Sequence, residues 1–185
     1  LLSSGIQNAS TAEITGLELE LTVRPTSALT LAAAATFLDT KYKSFAIPGA
    51  GGAAIDVSDT PFAYSPKEAY TLSADYNLPV GPGELNLHVD YAYRGTTYSV
   101  GPLVGAGLFG GTNPTTNRIP GFGLLNAQAT LKLMDERLAI GVYGRNLTKT
   151  KYFQRLLALE DTALGLTSYL PGDPRTYGVS ITYEF

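Results

Sequence analysis

His88 is the first residue to consider for chemistry, because the chain has one histidine and no cysteine. At period-two spacing it shares a strand face with Glu84, Asn86, Asp90 and Arg94. Such a row could hold a metal ion or pass a proton. One imidazole is too little for the usual zinc set unless carboxylates complete the geometry. A paired, solvated row of polar residues is the simpler reading and is adopted here. A Ser–His–acid hydrolase would need a serine singled out by its surroundings, and none is. No catalytic residue, metal or cofactor is therefore assigned. Asp56-Val57-Ser58-Asp59 could seat a cation but reads as a loop. The run Gly105-Ala106-Gly107-Leu108-Phe109-Gly110-Gly111 lacks a lysine and a following helical pattern, so it is no phosphate loop. Tyr98, Phe109 and Arg118 lie on the longest connection. Rings beside a guanidinium suit an anionic ligand, and these three are the candidate substrate contacts.

Composition limits what such residues can serve. The 185 residues suffice for one domain, and only 16% are charged, against roughly 25% in soluble proteins. The net charge of −3 and the scattered Lys and Arg give no footprint for nucleic acid. Absence of cysteine removes disulfides and thiolate chemistry. No apolar run approaches the roughly 18 residues of a transmembrane helix.

Seven segments must position these residues, and all alternate with period two. In 15–24 the apolar set is Leu17, Leu19, Leu21 and Val23. In 29–38 it is Leu29, Leu31, Ala33, Ala35 and Phe37. In 69–78 it is Tyr70, Leu72, Ala74, Tyr76 and Leu78, and in 84–94 Leu85, Leu87, Val89, Tyr91 and Tyr93. Leu125, Ala127, Ala129, Leu131 and Leu133 form it in 125–133; Leu138, Ile140, Val142 and Gly144 in 138–145. The chain ends on Tyr177, Val179, Ile181, Tyr183 and Phe185, with polar residues or Gly178 between them. None of these positions is charged. The opposite faces carry Glu18, Glu20, Arg24, Asp75, Glu84, Asp90, Arg94, Lys132, Arg145 and Glu184. That split suits a face against lipid, where an Arg or Lys costs about 2–4 kcal/mol at the midplane.

The connections alternate short and long. The short ones are 25–28, 79–83 and 134–137; the long ones are 44–61, 96–120 and 148–173. Outer-membrane barrels have short periplasmic turns and long extracellular loops. Segments of about ten residues fit tilted strands crossing an apolar band of about 25 Å. Tyr91 and Tyr93 would sit in one interfacial girdle, Tyr183 and Phe185 in the other. Counting back from Phe185 places the C-terminus on the periplasmic side. Seven strands cannot close a bacterial barrel of even strand number. The expectation is a C-terminal piece of a longer chain. The start at Leu1, with no signal peptide in view, agrees with this.

Three motifs resemble the C-terminal part of TonB-dependent outer-membrane receptors. The stretch Asn8-Ala9-Ser10-Thr11-Ala12-Glu13-Ile14-Thr15-Gly16-Leu17-Glu18-Leu19-Glu20 is similar to the family's Asn-x-Gly…Gly-Val-Glu-Leu-Glu strand opening, with Ala9 in place of Gly. Gly144-Arg145-Asn146-Leu147-Thr148-Lys149-Thr150-Lys151-Tyr152-Phe153 is similar to its Asn-Leu-Phe-Asp-Lys-x-Tyr segment, departing at Thr148 and Lys149. Gly172-Asp173-Pro174-Arg175-Thr176-Tyr177-Gly178, running on to Phe185, is similar to its ending. The resemblance implies an all-β fold, an antiparallel up-and-down transmembrane β-barrel. This chain would supply the last seven of about 22 strands, and a plug would fill the barrel. It implies a receptor in the outer membrane of a Gram-negative bacterium, with no enzyme activity. Its ligand would be an iron chelate such as a ferric siderophore, and TonB would act through an N-terminal region not in this chain. Membrane lipid and the barrel-assembly machinery are further implied partners, with Tyr183 and Phe185 as the insertion signal. Asn146 and Tyr152 read as structural, Asn146 bonding the backbone where a strand ends. Arg175 reads as a contact to the barrel rim.

Two other readings use the same pattern. A passive pore could form from several copies. A soluble β-sandwich would make the apolar face a core, but soluble strands average nearer five or six residues.

Overall fold

The computed structural model describes residues 11–48, 53–99, 117–159 and 165–185. Seven long strands form one antiparallel sheet: β1 (Thr11–Val23), β2 (Leu29–Ser44), β5 (Glu68–Val80), β6 (Gly83–Arg94), β9 (Phe122–Leu133), β10 (Leu138–Arg145) and β13 (Thr176–Tyr183). Three short hairpins lie between them: β3 (Ala46–Pro48) with β4 (Ala54–Asp56), β7 (Thr97–Tyr98) with β8 (Arg118–Ile119), and β11 (Phe153–Leu159) with β12 (Leu166–Pro171). The sheet order β1-β2-β5-β6-β9-β10-β13 is a plain up-and-down meander.

Register keeps the two faces unmixed. Val23, Leu31, Ala74, Val89, Ala127, Gly144 and Tyr177 are cross-strand partners in one row spanning all seven strands. On the other face Thr30, Asp75, His88, Gln128, Tyr143 and Gly178 make a comparable row. Slipping one strand by a single residue would bring polar residues into the apolar row, so the pattern fixes the register. Tyr143 also explains Gly178: a Cβ there would stand 2.7 Å from the tyrosine oxygen. The ring lies flat over a position that only glycine leaves open.

The sheet departs from the sequence reading in two ways. β2 continues six residues past Leu38, and its apolar face turns charged at Asp39, Lys41 and Lys43. Glu13 stands beside them on β1, 2.6 Å from Lys43 Nζ and 3.7 Å from Lys41 Nζ. The uncharged band therefore ends above Phe37, although the ladder does not. The long connections are also more than loops. The apolar run of β11 folds back on β12, and Phe153 packs on Tyr169 with ring centres 4.8 Å apart.

Close packing is found in these connections and not in the sheet. Phe45 and Val57 are buried together, with Tyr42 and Ile55 against them. Ile119 and Leu156 are buried on each other, joining β8 to β11. The Asp56 segment closes this first cluster. Asp56 Oδ1 accepts from the Ser58 hydroxyl at 2.6 Å and the Ser58 N–H at 2.9 Å. Those donors hold its carboxyl below the usual carboxylate range. The motif is thus a turn around a buried valine.

Candidate functional site

The polar face carries one continuous hydrogen-bonded line. His88 Nδ1 lies 2.7 Å from Asp75 Oδ1 on the neighbouring strand, and its Nε2 lies 3.4 Å from Asp90 Oδ1. Asn126 Nδ2 donates to Asp90 Oδ2 at 2.8 Å. Asn126 Oδ1 accepts the Asn146 backbone N–H at 3.0 Å. Asn146 closes the line. Its Nδ2 donates to the Thr150 and Asp173 carbonyls at 2.9 and 3.1 Å, and its Oδ1 accepts Thr150 N–H at 2.8 Å. Asn146 is 4% exposed and sits at φ 50°, a left-handed conformation that asparagine accepts more readily than most residues. It therefore ties together both ends of the β10–β13 connection.

Two polar hollows open along this line. One, of about 380 Å³, is lined by Leu124, Asn126, Arg145, Asn146, Tyr152 and Asp173, among others. The second, of about 290 Å³, is lined by His88, Asp90, Asn126, Gln128, Tyr143 and Arg145. They share Asn126 and Arg145. Above them three groups stack. Tyr152 packs on Phe122 with ring centres 4.3 Å apart, and the Arg94 guanidinium covers Phe122 at 4.8 Å. Gly172 lies beneath the Tyr152 ring, where a Cβ would collide with it.

Of the polar residues expected from sequence, His88 and Asp90 meet, while Glu84 and Arg94 stand apart from them and from each other. Glu84 and Arg94 sit at opposite ends of β6, ten residues and about 33 Å apart. Glu84 accepts from Asn86, which also donates to Asn77 at 2.8 Å. Among the described residues no group of three or more His, Cys, Asp or Glu is arranged to hold a metal ion. Tyr98 and Arg118 are direct partners across β7 and β8. Arg118 Nη2 donates to Thr96 Oγ1 at 3.2 Å, and the Tyr98 carbonyl accepts Tyr64 N–H. Phe109 lies outside the described residues. Tyr183 and Phe185 meet edge to face, 5.2 Å apart, at the short-turn end. Tyr70, Tyr91 and Tyr93 cluster at the other end of the sheet. Arg175 lies over the Tyr177 ring at 5.8 Å.

The seven-stranded meander, its split faces and its long connections on one side are a barrel wall. The model of the TonB dependent receptor-like β-barrel family matches residues 2–147. The chain belongs to that family. Solved structures agree on the fold of this TonB-dependent receptor barrel segment. The ferric yersiniabactin uptake receptor FyuA of Yersinia pestis is 16% identical, with a TM-score of 0.72 over 94% of this chain. The siderophore receptor PiuA of Acinetobacter baumannii is 19% identical, with a TM-score of 0.67 over 93%. BauA of the same organism, the ferric preacinetobactin receptor, is 22% identical, with a TM-score of 0.62 over 94%. The segment spans 24%, 22% and 22% of those three chains.

Asn126, Phe122 and Arg145 were missed as site residues. Each occupies an ordinary polar-face or strand-end position in sequence. Only the cross-strand register brings Asn126 beside Asp90 and Phe122 beside Arg94.

Proposed function

We propose that this chain is the C-terminal wall of an outer-membrane receptor that imports a ferric siderophore or similar iron chelate, energised by TonB. The supporting observation is the uncharged row that crosses all seven strands, opposite a face rich in hydrogen bonds. In water such a surface would favour aggregation; in hydrocarbon it is the expected exterior. Among the described residues β1 and β13 are both sheet edges. Unpaired edge groups in lipid cost several kcal/mol each, so the reading requires further strands that complete a barrel of about 22. The siderophore-receptor names of the structural relatives support the ligand class. In this reading Tyr98, Phe109 and Arg118 are the chelate contacts, TonB acts through an N-terminal region, and Tyr183 and Phe185 address the assembly machinery. The chain is a transport component and not an enzyme.

Uptake of radiolabelled iron tests this. A panel of ferric catecholate, hydroxamate and carboxylate chelates is offered to cells with and without the receptor. At least one chelate should depend on the receptor and on TonB equally. Receptor-dependent uptake that persists without TonB would instead indicate a passive pore.

A further inference from the structure

The stack at the loop end of the polar face contains a cation with no anion bound to it among the described residues. Arg94 Nε and Nη2 are both buried and have no hydrogen-bond partner among the described residues. These two nitrogens lie along one edge of the planar guanidinium, the edge that meets two oxygens side by side. The carboxylates closest to it in the ladder are placed or used elsewhere. Asp90, four residues back on the same face, is bound to Asn126 and faces His88. Glu18 shares the row of Arg94 through Thr36 and Ala69, but three strands away, about 14 Å. Glu68, on the adjacent strand, pairs with Phe37 on the apolar face. The guanidinium plane is held by Phe122, which Tyr152 backs in turn. Thr97 Oγ1 and Ser99 Oγ, 1% and 5% exposed by residue, are also buried without partners within five residues of Arg94. A buried charge left unpaired is strongly unfavourable, and buried polar groups normally have partners.

We propose that the Nε/Nη2 edge of Arg94 is a carboxylate-binding site for a ligand entering from the loop side. Stacking fixes the plane, the edge supplies two parallel N–H donors, and burial strengthens the pair. The site differs from the Tyr98–Phe109–Arg118 set. It deepens the receptor reading by naming a chemical group on the ligand, yet it can be tested without uptake.

The intact receptor, purified in detergent, is heated with malonate and with chloride at equal ionic strength. Malonate should raise the wild-type midpoint by about 3 °C beyond chloride, as expected for a ligand that binds only the folded state. Arg94→Met should abolish that increment and melt no lower than wild type without malonate. Arg94→Lys keeps the charge but loses the two-donor edge, and should lose most of the increment. An equal increment in all three proteins would overturn the site. So would no increment in wild type together with destabilised Arg94→Met, which would put an acidic side chain of the receptor on the edge. Loss of iron uptake with an intact malonate response would count against the receptor reading alone.

Discussion

In the sheet, Leu21, Leu72 and Ile181 are 60%, 49% and 71% exposed; in the connections beyond it, Ile119 and Leu156 are 0% and 4% exposed. The sheet turns its largest apolar side chains away from the protein, whereas the connections bury Phe45, Val57, Ile119 and Leu156 and leave others, such as Leu157 and Leu170, about half exposed. Both follow the same burial rule with different solvents. The connections pack as a small soluble protein does, on clusters of two to four side chains. The sheet is held by backbone ladders and cross-strand pairs, and its apolar rows match lipid. Strand existence and tertiary packing are therefore separate problems in this chain, solved in separate places.

The sharpest way to break this contrast is a charge on each face. Leu72→Arg places a guanidinium in the middle of the apolar face, while Ser73→Arg places it on the polar face. In lipid vesicles the first should cost about 3 kcal/mol and the second under about 1. Urea titration of the folded receptor reads both. Equal costs would mean that the two faces see the same solvent, and the membrane reading would fail.

The next test is at Ile119. Ile119→Ala removes a fully buried side chain from the joint between β8 and β11. A core truncation of this kind costs about 2–4 kcal/mol. The loss should fall mainly on protease resistance of the connections, while the sheet ladder keeps its amide protection. Loss of amide protection in β9 and β10 as well would show that connections and sheet unfold as one unit.

The contrast also explains what could be read before the structure. Period-two patterning revealed all seven long strands, because a face against lipid must stay apolar along its whole crossing. Leu85 to Tyr93 or Tyr177 to Tyr183 leave little choice of face or class. The connections gave no such signal. Ala46–Pro48 and Thr97–Tyr98 are too short to show a period, and the 153–159 run mixes Leu156 inward with Leu157 outward. The end of the apolar band was missed for a related reason. Asp39 and Lys41 interrupt the hydrophobic pattern but not the backbone ladder with β1, which shifts register only at Lys43. At the site, Asn146 was legible because its residue type suits a strand end. Asn126, Phe122 and the unpaired edge of Arg94 were not, since their partners lie on other strands at separations only register supplies.

The smallest effect lies at the turn between β9 and β10, on the side of the sheet opposite the packed connections. Met134, Asp135 and Glu136 all sit at positive φ, 56°, 54° and 70°. A left-handed residue costs about 1–2 kcal/mol for most side chains, somewhat less for Asp, and almost nothing for glycine. Their side chains offer little in return. Met134 is 63% exposed, and Glu136 makes one solvent-exposed pair with Lys132 at 3.1 Å. Asp135→Gly should therefore stabilise the receptor by about 0.5 kcal/mol, the relief of strain exceeding glycine's extra entropy when unfolded. Asp135→Ala should destabilise it, because alanine keeps the Cβ and lacks aspartate's tolerance of this region. Urea midpoints in the same vesicles separate the two. A gain from alanine as large as that from glycine would mean that the aspartate charge, and not backbone strain, limits this turn.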